Sequence, residues 1–254
     1  MIDIEAIAER LDTAAMSAIA IPQLCEDFEV QLDDAYRIQA ASIERRVSRG
    51  DRRVGMKMGF TSRAKMLQMG VSELIWGRLT ISMMIEEGGS ISLADFIHPR
   101  VEPEVAFLMR KPLAGRVSSL EALDAVEAVA CALEVIDSRY KAFKFSLTDV
   151  VADNASSSGF AVGPWRKPDT EFANLGMILS VNGRPQAFGS TAAILGHPVR
   201  ALVAAARVVA DAGEELAPGS IVMAGAATAA IALGQEQHIS LEAEKLGRVQ
   251  FTVR

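Results

Sequence analysis

The sequence has little of what marks an oxidising compartment or a polyanionic partner. Only two cysteines occur in 254 residues, Cys25 and Cys131. They are far apart and one sits in the apolar stretch AVACALEVI, so two reduced thiols are expected rather than a disulfide or a thiolate metal site. Aromatic residues make up 6% while half of all residues are hydrophobic, which leaves Ala, Val, Ile, Leu and 11 Met to fill the core. The formal charge of −6 argues against a nucleic-acid partner, because such binding draws on clustered Lys and Arg. The one basic run, Arg45-Arg46 with Arg49, Arg52 and Arg53, reads as a solvated helix end, with an anion or subunit contact as the alternative.

A basic start followed by an apolar run is also missing: MIDIEAIAERLDTAAM is acidic and polar every few positions. No apolar run reaches the roughly 18 residues that span a bilayer. A cytoplasmic protein with no membrane partner is the expectation. The sequence contains no Gly-x-Gly-x-x-Gly, no phosphate loop and no His-Glu-x-x-His, which removes the simplest cofactor hypotheses. His98, His197 and His238 lack ligand spacing to one another and are read as structural.

What is present suggests an α+β chain. Residues 1–52 read as a helical N-terminal lobe: IDIEAIAERLDTAAMSAIA is Ala-rich, and after Ile21-Pro22 a second helix, capped by Asp33 or Asp34, would place Tyr36, Ala40, Ile43 and Val47 on one face. Residues 53–254 read as a catalytic mixed-β domain of short apolar runs, among them VGMKMGF, VEPEVAFLM, ALEVI and FAVG. Two helices are expected within it, Ser118–Val129, opened by a Ser118/Glu121 capping box, and Val199–Ala212. HISLEAEKLGRVQFTVR reads as a closing β-hairpin about Leu246-Gly247.

Four features carry possible chemistry. In Arg100–Met109, Glu102 and Glu104 would share one strand face. Their side-by-side charges need a cation, a proton or Arg partners if buried, and a solvated strand end is the plainer reading. Pro103 cannot donate to a ladder, which predicts a strand edge or a bulge. Glu134 lies inside the apolar VACALEVID, where a metal or a salt bridge to Arg139 or Lys57 would compensate it. Three carboxylates suit Mg²⁺ or Mn²⁺ better than Zn²⁺. Lys57 is the only polar side chain in GMKMG, either a proton carrier or an edge lysine that snorkels to solvent. Asp153–Gly159 is a small polar loop able to present hydroxyls and N–H groups to a carboxylate, or a plain turn. Val222–Thr228 reads as a strand entering a tight turn.

GMKMGFTSRAKMLQMGV, HPRVEPEVAF, ALEVIDSRYKAFKFSLTDVVADNASSS and LGHPV, in this order, resemble the hydratase and decarboxylase branch of the fumarylacetoacetate hydrolase superfamily. Ala64-Lys65-Met66 with Gln68-Met69-Gly70-Val71, and Ile136–Tyr140 with Phe143-Lys144-Phe145, are more similar to its decarboxylases than to its hydratases. The resemblance implies a mixed β-sheet roll and metal-dependent decarboxylation of 2-oxohex-3-enedioate to 2-hydroxypenta-2,4-dienoate, in the meta-cleavage catabolism of aromatic compounds. Hydration of that dienoate is the alternative activity. It further implies Mg²⁺ or Mn²⁺ on Glu102, Glu104 and Glu134, Lys57 as the active-site lysine and Ser156 beside the substrate. Arg139, Lys144 and Thr228 are further substrate-binding candidates. The implied partners are a small 2-oxo acid, further copies of the chain and the hydratase that consumes the product. The chain departs from the branch's usual pattern at Gly159 and at Ala224-Gly225-Ala226, positions that bear on the substrate's far carboxylate.

Overall fold

The structure is a computed structural model that describes residues 2–62 and 74–254. The segment Ala64–Val71, which carries part of the resemblance, lies outside the described residues. Asp3 opens α1 (Ile4–Ser17) by accepting from Ala6 N at 3.0 Å, which satisfies one of the donors a helix start leaves orphaned. α2 (Leu32–Ser48) follows Gln31, so Asp33 and Asp34 stand in its first turn rather than at its cap, where their charge still opposes the helix dipole. The buried side of α2 is Ala35, Ile38, Gln39, Ser42 and Ile43. Tyr36, Ala40 and Val47 flank it half-buried, because α2 packs on α1 and on the short helix Leu147–Ala152 together.

The basic run is not a solvated helix end. Arg49 forms a two-pronged pair with the buried Asp12 of α1 at 2.6 and 2.7 Å, Arg45 approaches the same carboxylate at 3.4 Å, and Arg53 pairs with Glu214 at 2.6 Å. Most of the run therefore clamps the chain to itself.

In chain order the strands are β1 (Arg53–Gly59), β2 (Ile75–Thr80), β3 (Met84–Ile85), β4 (Ser90–Ile91), β5 (Arg100–Met109), β6 (Val126–Ile136) and β7 (Ser157–Val162). They continue with β8 (Gly176–Val181), β9 (Arg184–Ser190), β10 (Ile221–Met223), β11 (Ile231–Ala232), β12 (Gln237–Ala243) and β13 (Gly247–Val253). The larger sheet runs β2-β1-β10-β5-β6-β7-β3, with β11 also on β5, and the smaller runs β4-β13-β12-β8-β9. Parallel pairs, β1 with β10 and β3 with β7, are mixed with antiparallel ones.

Strand alternation separates core from site. Val101, Val105 and Phe107 of β5, with Leu133 and Val135 of β6, join Leu179, Ile239, Leu241 and Phe251 of the smaller sheet in the main core. The opposite face carries Glu102, Glu104 and Glu134, and farther along it Ala106, Ala132, Phe160 and Met223 close against Ile43 of α2.

The capping box at Ser118 and Glu121 is present, but its helix is only Ser119–Asp124. Residues 126–129, expected to complete it, instead open β6 and pair with β5; sheet pairing overrides the helix preference of an Ala-rich stretch. The second expected helix is Pro198–Asp211, where His197 Nδ1 accepts from Val199 N at 3.1 Å as a cap. Thr191–Asp211 is long and apolar enough to cross a membrane by length and composition alone. Here Val199, Ala201, Leu202, Ala205 and Val209 bury that apolar side in the main core. The terminal hairpin pairs Ala243 with Gly247. Both cysteines are free, and burial pushes the Cys131 thiol up to about 11, which leaves it unreactive.

Candidate active site

Glu102 and Glu134 are cross-strand partners in the β5–β6 ladder, and Glu104 stands one alternation farther along the same face. This register brings carboxylate oxygens of all three within 4.8 Å of one another. Glu104 and Glu134 are 1% and 0% exposed, so a solvated strand end does not describe them. Gly225 N donates to Glu104 Oε2 at 2.8 Å, and Ser157 Oγ donates to Glu134 Oε1 at 2.8 Å. Lys57 projects from β1, an inner strand between β2 and β10, and its Nζ lies 3.1 Å from Glu134 Oε2. At 4% exposure it does not snorkel.

The expectation of an edge or bulge at Pro103 needs correction. β5 is an inner strand, Pro103 faces Leu133, and the register shift in this ladder comes later, between Leu108 and Met109. The missing donor is tolerated because β10 ends before Pro103 is reached and β11 begins beyond it. In that interval the 224–230 loop takes over, with Ala224 N donating to Val105 O and Ala227 N to Pro103 O at 2.9 and 2.8 Å.

Among the described residues, the Lys57 ammonium is the cation that faces these carboxylates, two of which are fully buried. Burial, and next the Glu134 charge, push Glu104 well above the ordinary carboxylate range, with Lys57 acting the other way. Burial also raises Glu134, against the pull of Lys57. Lys57 is lowered by burial, but Glu134, Glu104 and Glu102 outweigh this and hold it charged. Glu104 Oε1 has no hydrogen-bond partner among the described residues. An unpartnered buried carboxylate oxygen beside two other carboxylates is the signature of a cation site, and an all-oxygen donor set fits Mg²⁺ or Mn²⁺.

The site opens into a cavity of about 530 Å³ whose walls include Lys57, Glu102, Phe60, Phe143, Phe145 and Ser156. Ser156 comes from a loop in which Asn154, Ala155 and Ser156 all have positive φ, 52°, 51° and 60°. Three consecutive non-glycine residues in this region are costly and must be held from outside. Asn154 is tied to the Arg78 peptide, and Asp153 is tied to Arg139. The loop is thus more than a plain turn. Ser156 Oγ is buried without a partner among the described residues.

Other expected residues lie elsewhere. Arg139 is 3% exposed, and its guanidinium is used by the Asp153 carboxylate, the Asp153 carbonyl and, at 2.6 Å, Ser158 Oγ. It holds the loop and is not part of the cavity wall. Lys144 is exposed between the two wall residues Phe143 and Phe145. Thr228 is half-buried beside wall residues Ala226 and Ala229, and its Oγ1 donates to Ala229 O at 3.0 Å. Gly159 pairs with Val135 in β7, one position out of phase with the Glu134–Phe160 pair, so it faces away from the carboxylates. Sequence reasoning missed Thr61 and Arg100, both on the cavity wall. Thr61 Oγ1 is a second buried hydroxyl without a partner among the described residues. It packs so closely on Gly225 (φ +100°) that a Cβ there would meet it at 2.0 Å, which only glycine avoids.

The family model of the fumarylacetoacetate (FAA) hydrolase C-terminal region matches residues 59–254. The chain belongs to this family. Within the family it is 59% identical over 249 residues to a 4-oxalocrotonate decarboxylase of a Pseudomonas species, covering 98% of this chain and 97% of that one. A 2-keto-4-pentenoate hydratase of Paraburkholderia xenovorans (strain LB400) is 36% identical, with 87% and 84% covered. Among solved structures, 4-oxalocrotonate decarboxylase from Pseudomonas putida G7, complexed with magnesium and adipate, superposes with a TM-score of 0.96 at 35% identity, covering 99% of this chain and 97% of that one. The mixed-sheet fold with a helical N-terminal part is the family's.

Proposed function

We propose that this chain is a divalent-metal carboxy-lyase that converts 2-oxohex-3-enedioate to 2-hydroxypenta-2,4-dienoate. The observation that carries the reading is the Glu102–Glu104–Glu134 cluster, with its unpartnered buried Glu104 oxygen and with Lys57 on Glu134, of which Lys57 and Glu102 line the cavity. The 59% identity to a named decarboxylase selects this reaction over hydration.

Bound by Glu102, Glu104 and Glu134, Mg²⁺ or Mn²⁺ supplies Lewis-acid polarisation of the substrate's 2-oxo group. The chain's own groups do the rest. When the C5–C6 bond to the distal carboxylate breaks, its electron pair moves through the C3–C4 alkene toward the 2-oxo oxygen, CO₂ leaves, and that oxygen takes up one proton, from the Lys57 ammonium or water, to become the 2-hydroxy group. The Lys57 ammonium, held charged by its carboxylate neighbours, offsets the negative charge that develops. Ser156 hydrogen-bonds the substrate, with Thr228 supporting the adjacent wall. Arg139 acts through Asp153 to position the loop, and Lys144 stays at the rim. Phe60, Phe143 and Phe145 exclude water from the reacting chain.

Residues 53–254 form the catalytic part in this reading, and residues 1–52 a lobe packed against it. A cytoplasmic place in aromatic meta-cleavage catabolism suits the substrate. The labile dienol product favours association with the hydratase that consumes it, and further copies of the chain are the other proposed partner.

The test is CO₂ release from 2-oxohex-3-enedioate with Mg²⁺ and with EDTA, followed in parallel with consumption of 2-hydroxypenta-2,4-dienoate. Metal-dependent CO₂ release is expected. Consumption of the dienoate without CO₂ release would make the chain a hydratase.

A further inference from the structure

A substrate with a carboxylate at each end needs recognition at both, and the carboxylate cluster accounts for one end only. Arg139 is committed to Asp153 and Ser158, and Gly159 faces away from the site. Among the described residues of the cavity wall, the cations are Lys57 and Arg100. Lys57 belongs to the carboxylate cluster. Arg100 makes no ion pair among the described residues, and its Cζ lies 4.3 Å from the centroid of the Phe143 ring.

The Arg100 side chain makes no hydrogen bond among the described residues, and a guanidinium over a ring can keep N–H groups for a further partner, because ring contact uses its face and hydrogen bonding uses its plane. Phe143 is itself held, packed on His98 at 5.1 Å and on Phe145 at 5.8 Å between centroids. Arg100 also stands on the same face of β5 as Glu102, two residues before it. Two residues of strand amount to about 7 Å, of the same order as an extended six-carbon diacid.

We infer that Arg100 is the specificity-determining residue that binds the distal carboxylate of the substrate through a guanidinium presented on the face of Phe143. The inference rests on the proposed decarboxylase reading. It also fits the direction of the reaction: the distal carboxylate loses its charge as it becomes neutral CO₂, so its attraction to Arg100 weakens toward the transition state. Arg100 therefore contributes to binding the dianion and to releasing the product, not to kcat.

The experiment uses the Mg²⁺-loaded protein and two unreactive ligands that differ only at the far end, 2-oxohexanedioate and 2-oxohexanoate, with affinities measured by calorimetry. The wild type should prefer the diacid. Arg100→Gln should weaken the diacid by about 10- to 100-fold, the range of a charge-assisted pair, and leave the monoacid within about twofold. Arg100→Lys should recover part of the loss, since it keeps charge without the fork. On the substrate, Arg100→Gln should raise KM and leave kcat unchanged or higher. Retention of the diacid preference in Arg100→Gln would overturn the inference while leaving the decarboxylase reading intact. Failure of both ligands to bind the wild type would remove both.

Discussion

Asn154 holds the peptide of Arg78 at both of its polar ends. Its Oδ1 accepts from Arg78 N at 2.7 Å and its Nδ2 donates to Arg78 O at 2.9 Å. The side chain thereby fastens the catalytic loop to β2, and a Cβ on the neighbouring Gly77 would come within 2.4 Å of Asn154 O. Asn154→Ala leaves a buried donor and acceptor unsatisfied, a loss of about 2–4 kcal/mol for the two groups. Urea unfolding should show that loss. Steady-state kinetics should show a raised KM as Ser156 loses its place, and an unchanged KM would refute the positioning role.

Replacing Glu104 with Gln removes a ligand and a buried charge together. CO₂ release should fall by at least about 100-fold, since several kcal/mol of charge stabilisation disappear. Thermal unfolding supplies a second readout. Without added metal the variant should melt above the wild type because repulsion with Glu134 is relieved, and Mg²⁺ should no longer raise its Tm.

Lys57→Met withdraws the ammonium that pairs with Glu134. A fall in kcat of about 100- to 1,000-fold is expected from losing one charge aimed at the transition state. Metal-free stability should drop by about 3 kcal/mol because Glu134 is left buried and unpaired. Mg²⁺ should restore much of the stability and none of the rate, a separation that denaturant titration and turnover measured side by side can check.

Glu214 lies far along the chain and bridges Arg53 and Arg78 at 2.6 and 2.5 Å. Burial raises its pKa, but hydrogen bonds from Arg53 and Arg78 outweigh this and bring it below the ordinary value of 4.5. A depressed carboxylate stabilises the fold above its unfolded pKa and loses that contribution as pH falls through the folded one. Wild type should therefore exceed Glu214→Gln by about 1 kcal/mol at pH 7, with the gap closing below pH 4.5. A gap that is constant from pH 7 to pH 3 would contradict the assignment.

The parts of the site legible in the sequence were those in which one polar residue breaks an apolar pattern. Lys57 within GMKMG and Glu134 within VACALEVID announce a compensating partner, because burial of an unpaired charge is too costly. Alternation places Glu102 and Glu104 on one face, but on alternation alone a solvated strand end is the plainer reading, and it is the family resemblance that makes the pair candidate ligands. Arg139, a candidate for substrate binding or for structural support, could not be assigned between the two from sequence, because its partner Asp153 lies fourteen residues away and meets it only through the fold. Arg100 and Thr61 gave no signal: an arginine at a strand start and a threonine after a strand are ordinary until the cavity forms around them. The helix expected to reach Val129 ended at Asp124 for a related reason, since the two neighbouring strands that claim β6 are invisible to local propensity.

Pro103 divides the labour of the active site. The β5–β6 ladder on one side of it fixes the carboxylates, and any slip there would turn them into the wrong layer. On its other side the 224–230 loop bridges β10 and β11, meeting β5 through the Ala224 N–Val105 O and Ala227 N–Pro103 O bonds and through Gly225 N on the Glu104 carboxylate. Apart from Gly225, which donates to Glu104 and packs on Thr61, alterations in the loop can therefore reshape the pocket without disturbing the register that holds the carboxylates. A single imino acid in an inner strand gives one scaffold a fixed ladder for the carboxylates and an adjustable wall beside it, which is the arrangement from which enzymes with a shared reaction centre and different substrates can diverge.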